Sequence, residues 1–190
     1  MDDSTTTYLA TGPRVGLRRL TYADGEVFVA LARESRELHH PWLAPPVTAE
    51  QFALYAQRLI EDPARAGFLI CERGVDEGHE PARGRIAGYV NINNIVEGAF
   101  RNGALGYGAF AHAAGQGLMS EGLRLLITYA FGPALGLHRL EINVQPDNAA
   151  SIALARRCGF RLEGFSPDFL YIDGAWRDHE RWALTREMVR

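Results

Sequence analysis

One mixed sheet with helices on both faces is the fold class this sequence predicts. Three observations carry it. A strand-like run, Gly103 to Phe110, leads through Gly115-Gln116-Gly117 into an amphipathic helix. The alternating run Leu140 to Gln145 stops at Pro146, and Asn148 then offers a cap for a further helix. Near the end, Phe169 to Ile172 and Trp176 to Leu184 are joined by Asp173-Gly174, a two-residue hairpin signal. Neither a repeat nor a linker divides the 190 residues, so a single domain over 1–190 is expected.

In chain order, residues 1–13 read as a frayed polar leader, because they open with two aspartates and a Thr-rich tract and lack the basic-then-apolar order of a secretory signal. Val15 to Leu20 is the first strand. Asp24 to Leu38 is a helix with Val27, Leu31 and Leu38 at near-helical spacing, and Ala49 to Glu61 is a second one behind the N-cap Thr48. Between them, His39-His40-Pro41-Trp42-Leu43 reads as a lid or a packed turn. Phe68 to Cys71 and Ile86 to Ile95 are strands joined by a charged, exposed loop, Arg73 to Gly84. The helix Leu118 to Phe131 carries Leu123, Leu126, Ile127 and Ala130 on one face. Ala149 to Arg157 is a helix with Gly159 at its end, and Phe160 to Gly164 precedes the final hairpin.

Composition narrows the function classes. Hydrophobic residues at 47% and charged residues at 23% are ordinary globular values, and a net charge of -3 supplies no basic field for direct nucleic-acid binding. No apolar run is long enough to span a bilayer. Cys71 and Cys158 are far apart and lack C-x-x-C spacing, which points to reduced thiols in a cytoplasmic protein and to no metal.

The glycine turn is the first place with chemistry in it. A helix amino terminus presents unpaired N-H groups and a positive dipole end, and glycine lets the backbone approach an anion. A tight bend alone also uses glycine here. The rival phosphate motifs are absent: no Gly-Lys-Ser/Thr follows the turn, and Gly103, Gly106 and Gly108 lie inside the strand.

His112-Ala113-Ala114-Gly115-Gln116-Gly117 resembles the acetyl-CoA loop of the GCN5-related N-acetyltransferases, commonly Gln/Arg-x-x-Gly-x-Gly/Ala, with His112 departing from the usual first residue. Asn148 to Leu154 followed by Arg157-Cys158-Gly159-Phe160 matches the second half of that family pattern. The runs Gly136 to Asn148, Asp173 to His179 and Val96 to Phe100 are similar to the RimJ/RimL branch, which acetylates protein amino termini.

The resemblance implies an α/β (α+β) GNAT fold: a mixed, mostly antiparallel sheet of about seven strands whose central pair splays apart. It implies acetyl-CoA as cosubstrate, bound by Phe110, Ala111, His112, Gly115, Gln116, Gly117, Leu118 and Asn148, with the amides near Phe110 and Ala111 polarising the thioester. Arg156 and Arg157 are candidates for phosphate contact, or simply a solvated face.

The implied acceptor is a primary amine, foremost a protein N-terminus of the ribosomal-protein-alanine type. A small amine (polyamine, aminoglycoside or toxin) is the enzymatic alternative, and a non-catalytic acyl-CoA sensor the other. An α-amine, with a pKa of about 7.7 to 8.0, needs little help to deprotonate. Glu141 and Asp168 are the candidate carboxylates to hold a water as base, each also readable as a solvated or ion-paired carboxylate. The tyrosine many family members use as acid is Ala155 here. Ser151 stands where RimL-like enzymes place a serine acid, a position that also suits a first-turn helix hydroxyl. The aromatics Phe165, Phe169, Tyr171, Trp176 and Trp182 read as core or as the wall of an amine site. A monomer or homodimer is expected.

Overall fold

A computed structural model describes residues 8–74 and 84–189. Eight strands form one sheet in the order β1-β2-β3-β4-β5-β6-β8-β7. The strands are β1 (Ala10–Thr11), β2 (Val15–Arg19), β3 (Ala66–Glu72), β4 (Arg85–Val96), β5 (Asn102–Ala109), β6 (Arg139–Val144), β7 (Arg161–Ile172) and β8 (Ala175–Thr185). Every pairing is antiparallel except β5 with β6. That exception follows from connectivity, because two parallel neighbours need a crossover, and the helix α4 (Leu118–Phe131) supplies it.

Helices cover both faces as expected. On one face Leu123, Leu126, Ile127 and Ala130 of α4 are buried against the sheet with Phe68, Ile70 and Val90. Gly122 lets that helix come close, since a Cβ there would lie 2.5 Å from Ile70. The other face holds α1 (Gly25–Glu34) and α3 (Ala49–Glu61), where Phe28, Phe52 and Ala56 pack with Leu69, Tyr89 and Phe110. Thr48 caps α3 by accepting a hydrogen bond from the Gln51 amide at 3.2 Å.

Four expectations change. The sheet has eight strands where about seven were expected, because Ala10–Thr11 pairs with Gly16 and Leu17, which also means the leader is not frayed as far as Pro13. Residues 1–7 lie outside the described residues, as does 75–83 of the charged loop. The helix expected over Asp24 to Leu38 is interrupted at Ser35, whose hydroxyl donates back to the Leu31 carbonyl at 2.7 Å; a separate turn, α2 (Arg36–His39), follows. The Phe160 to Gly164 and Phe169 to Ile172 runs are one strand, β7, with irregular register between Ser166 and Leu170. Of the terminal aromatics only Trp182 is core; Phe165, Tyr171 and Trp176 stand exposed on the β7-β8 ribbon, whose Asp173-Gly174 turn has φ of 51° and 77° as the hairpin signal requires.

Between Arg18 on β2 and the turn before α1, a buried ion pair ties strand to helix. The Arg18 guanidinium donates to both Asp24 carboxylate oxygens, at 2.6 and 3.0 Å, and the Thr21 amide adds a bond at 2.8 Å. Burial pushes the Asp24 carboxyl up, but Arg18 and Thr21 outweigh it and hold it below its usual range.

Candidate active site

The central strands part where the family resemblance places the opening. β5 and β6 pair from Asn102/Arg139 to Leu105/Ile142 and no further, while β5 stays paired with β4 as far as Ala109. Gly106 to Ala109 therefore keep one hydrogen-bonding edge unused by β6. The register says which amides these are. The Phe110 amide donates to the Ala87 carbonyl at 2.9 Å, so by antiparallel alternation the Tyr107 and Ala109 amides face away from β4, toward the opening.

This corrects the roles expected of Phe110 and Ala111. Besides the Phe110 bond to Ala87, the Ala111 amide donates to the Ser35 hydroxyl at 2.8 Å, so neither amide is available to a ligand. The Phe110 side chain is wholly buried. The break at Ser35 has this use: its hydroxyl fixes the exit of β5.

Beyond β5 the chain enters the loop His112 to Gly117. Gly115 and Gly117 take φ of 75° and 80°, a left-handed conformation that side chains disfavour, and Gly117 is the N-cap residue of α4. A Cβ on Gly115 would meet no protein atom within 4 Å, so the loop backbone is open on that side. The first-turn amides of α4, Leu118 to Ser120, have no partner within the helix, whereas Glu121 donates to the Gly117 carbonyl. The Leu118 side chain is buried and anchors the turn. These amides form a cradle for an anion at the positive end of a 14-residue helix.

The cradle is braced from outside. The Gln116 side chain donates to the His112 carbonyl at 2.6 Å, folding back on its own loop. His112 lies 3.5 Å from Glu72. Arg14, which sequence reasoning passed over, donates to the Gln116 carbonyl at 2.9 Å and pairs with Glu121 at 3.1 Å. Glu121 also accepts from the Arg14 and Val15 amides; these bonds outweigh the upward push of desolvation and lower its pKa. Arg157 reaches the same helix end, donating to the Ser120 hydroxyl at 3.2 Å, while Arg156 lies over the Trp182 ring.

The opening itself is a hollow of about 430 Å3 whose walls include Tyr107, Asn143, Asn148, Ser151, His179 and Trp42. The Asn148 carboxamide accepts from the Ser151 amide at 3.0 Å and so caps α5 (Ala149–Arg157). Ser151 shares a 2.6 Å hydrogen bond with the Tyr107 hydroxyl. Burial pushes the Tyr107 phenol up to about 12, so it stays protonated at neutral pH. Ala155, at the position of the missing tyrosine, is fully buried.

His179 is almost fully buried, and its Nδ1 lies 2.9 Å from the Arg177 carbonyl. A carbonyl only accepts, so Nδ1 carries the proton and Nε2 is left with its lone pair. Burial lowers the His179 pKa, against the Arg177 bond and the Asp178 charge, which keeps the ring neutral.

Neither carboxylate expected as a base lines this hollow. Glu141 lies in the paired half of β6 opposite Ala104 and accepts from Arg139 at 2.8 Å. Asp168 is exposed at the irregular part of β7, where its amide donates to Asp178 at 2.9 Å. Sequence alone missed Tyr107 and His179. Tyr107 hid inside a strand pattern; His179 stood in the run already matched to RimJ/RimL proteins, with no pattern marking it as site-facing.

With this geometry in place, comparison with known proteins decides the family. A family model described as the acetyltransferase (GNAT) domain matches residues 14–161. The chain belongs to the GNAT acetyltransferase family. It is 41% identical over 106 residues to the ribosomal protein uS5-alanine N-acetyltransferase of Escherichia coli, covering 56% of this chain and 54% of that protein, so the match spans about half of the curated relative's length. Mycobacterium smegmatis RimJ, solved in complex with CoA-disulfide, superposes with a TM-score of 0.81 at 27% identity, over 94% of this chain and 88% of that one. A RimL ribosomal L7/L12 α-N-protein acetyltransferase structure with coenzyme A shares the fold, with a TM-score of 0.78 at 24% identity over 94% of this chain and 98% of that one.

Among the described residues no helix is long and apolar enough to cross a membrane, and no cluster of His, Cys, Asp and Glu is placed to hold a metal ion. Cys71 and Cys158 are separate buried thiols, each pushed up to about 11 by burial.

Proposed function

We propose that this GNAT protein transfers the acetyl group of acetyl-CoA directly to the α-amine of a protein or peptide N-terminus, of the ribosomal-protein-alanine type, with no covalent enzyme intermediate. The observation that carries the reading is the parting of β5 from β6 beside the glycine cradle of α4. The names of its RimJ-like relatives support the acceptor class. Two buried, unbridged cysteines fit a reducing cytoplasm.

In this reading the loop from His112 through Gly117 and the first turn of α4 hold the pyrophosphate, and Asn148 lies beside the pantetheine arm. The Tyr107 and Ala109 amides polarise the thioester carbonyl as negative charge develops on its oxygen. The amine nitrogen attacks the carbonyl carbon, the N–C bond forms and the C–S bond breaks. His179 Nε2, directly or through a water, takes the proton the amine loses. Ser151 gives its hydroxyl proton to the leaving thiolate and is reprotonated from solvent. Tyr107, donating to Ser151, turns the serine hydrogen toward the sulfur; it is a positioning residue.

Thiol release with Ala-, Ser- and Thr-initiated peptides, set against spermidine and an aminoglycoside, tests the acceptor. Peptide turnover is expected; turnover of a small amine alone would transfer the assignment to that class, and acetyl-CoA binding without turnover of any amine would make the protein a sensor. Ser151→Ala is expected to lower kcat modestly, about tenfold, because a thiolate also leaves unaided. Tyr107→Phe should lower it less and add nothing once Ser151 is alanine. His179→Gln should flatten the acid limb of the kcat/KM profile. The sign follows from the lowered pKa: the neutral base is lost only on acidification, below about pH 6.5. An unchanged kcat in Ser151→Ala removes the serine from the chemistry, and an unchanged acid limb removes the histidine.

A further inference from the structure

Next to the opening lies a second and larger hollow, of about 790 Å3, between α1, α2 and α3. The two share a wall, since Leu43, Ala44, Pro45, Pro46 and Tyr55 line both. Anything leaving the first hollow over that wall enters the second.

The second hollow is basic. Arg33 and Arg36 line it from α1 and α2, and Arg58 from α3, so its basic residues come from three helices. Among the described residues one carboxylate lines it, Asp173, which sits 3.3 Å from His40. The Arg33 Nε donates to the Val47 carbonyl at 2.7 Å, which fixes that side chain. The Arg36 and Arg58 side chains have no hydrogen bond or ion pair to any described residue. Three like charges line one concavity and repel each other, with Asp173 the single acid among its described lining residues. The apolar part of the wall, Leu43 to Pro46 with Leu54, gives a peptide backbone something to lie on.

We propose that this basic hollow is an acceptor exosite that takes an acidic stretch of the polypeptide downstream of the N-terminal residue being acetylated. The inference rests on the peptide-acceptor reading and deepens it. The N-terminal amine occupies the opening beside Ser151 and His179. The chain then crosses the Leu43–Pro46 wall, and Asp or Glu side chains meet Arg33, Arg36 and Arg58. Guanidinium forks suit carboxylates because they pair with two oxygens at once. Such an exosite selects among acceptors that share the same first residue.

The test uses Ala-initiated peptides that differ only in carrying Glu or Gln across positions 3 to 8. The Glu series is expected to show a KM about tenfold below the Gln series at low ionic strength, with the gap closing in high salt. Arg36→Glu/Arg58→Glu, two exposed positions, should abolish or invert that preference, with circular dichroism and acetyl-CoA titration as folding controls. Equal KM values for the two series overturn the exosite while peptide acetylation stands. If no peptide is acetylated, the acceptor reading fails separately, and anisotropy of fluorescein-labelled Glu and Gln peptides reads the hollow directly. Tighter binding of the Glu peptide that is lost in the double variant upholds it; equal binding, or preference for a DNA oligonucleotide, overturns it.

Discussion

Replacing Gly115 and Gly117 together by valine lowers acetyl-CoA affinity at least ~100-fold, equivalent to about 2.7 kcal/mol, while the chain still folds. Both glycines sit at positive φ, where a β-branched residue is strained by about 1–2 kcal/mol, so some stability is lost as well. The larger effect is on the cradle. Backbone amides hold an anion only when they converge, and a relaxed loop at either position turns Gly115 to Leu118 away from one another. At Gly115 an added Cβ meets no atom of the described residues within 4 Å, so the change falls on the open face of the loop. Isothermal titration reads the affinity and thermal unfolding reads the fold. Affinity within about threefold of wild type in a folded double variant would remove this loop from coenzyme binding.

Asp24→Ala destabilises the protein by about 3–5 kcal/mol. The loss comes less from the missing attraction than from what stays behind: Arg18, 5% exposed, keeps its charge with no carboxylate facing it. Replacing both, as Arg18→Met/Asp24→Leu, should recover most of the loss, since it removes two desolvated charges at once. The pH dependence has a definite sign. A carboxyl held below its unfolded value of ~3.9 contributes fully above that pH and loses its contribution as pH falls through the folded value. Wild type should therefore lose stability below about pH 4 more steeply than Asp24→Ala, which keeps only the share of other lowered carboxylates such as Glu121, in urea titrations across that range. Parallel acid curves would mean that other carboxylates govern acid unfolding.

The fold was legible in the sequence wherever a local pattern carried it. Leu123, Leu126, Ile127 and Ala130 announced the face of α4, and Asp173-Gly174 announced a hairpin. The interruption at Ser35 was not, because its hydroxyl also accepts from the Ala111 amide, 76 positions away, a partner no local pattern shows. The same limit governed the site. Gly115, Gly117, Asn148 and Ser151 belong to patterns contiguous in sequence, and the fold brings them to the glycine turn and the hollow beside it. Tyr107 and His179 come to one hollow only through the sheet order, which places β5 and β8 on either side of β6. Glu141 and Asp168 lie away from that hollow for the converse reason: their residue type suits a base, but Arg139 occupies one and the exposed edge of β7 carries the other.

The seam between β5 and β6 has a consequence for how such a protein diversifies. Its width is set by main-chain register, so the surrounding side chains are free to change without closing it. The opening is thereby written in backbone and inherited with the fold, while its lining is written in side chains such as Tyr107, Ser151 and His179, where drift can rewrite it.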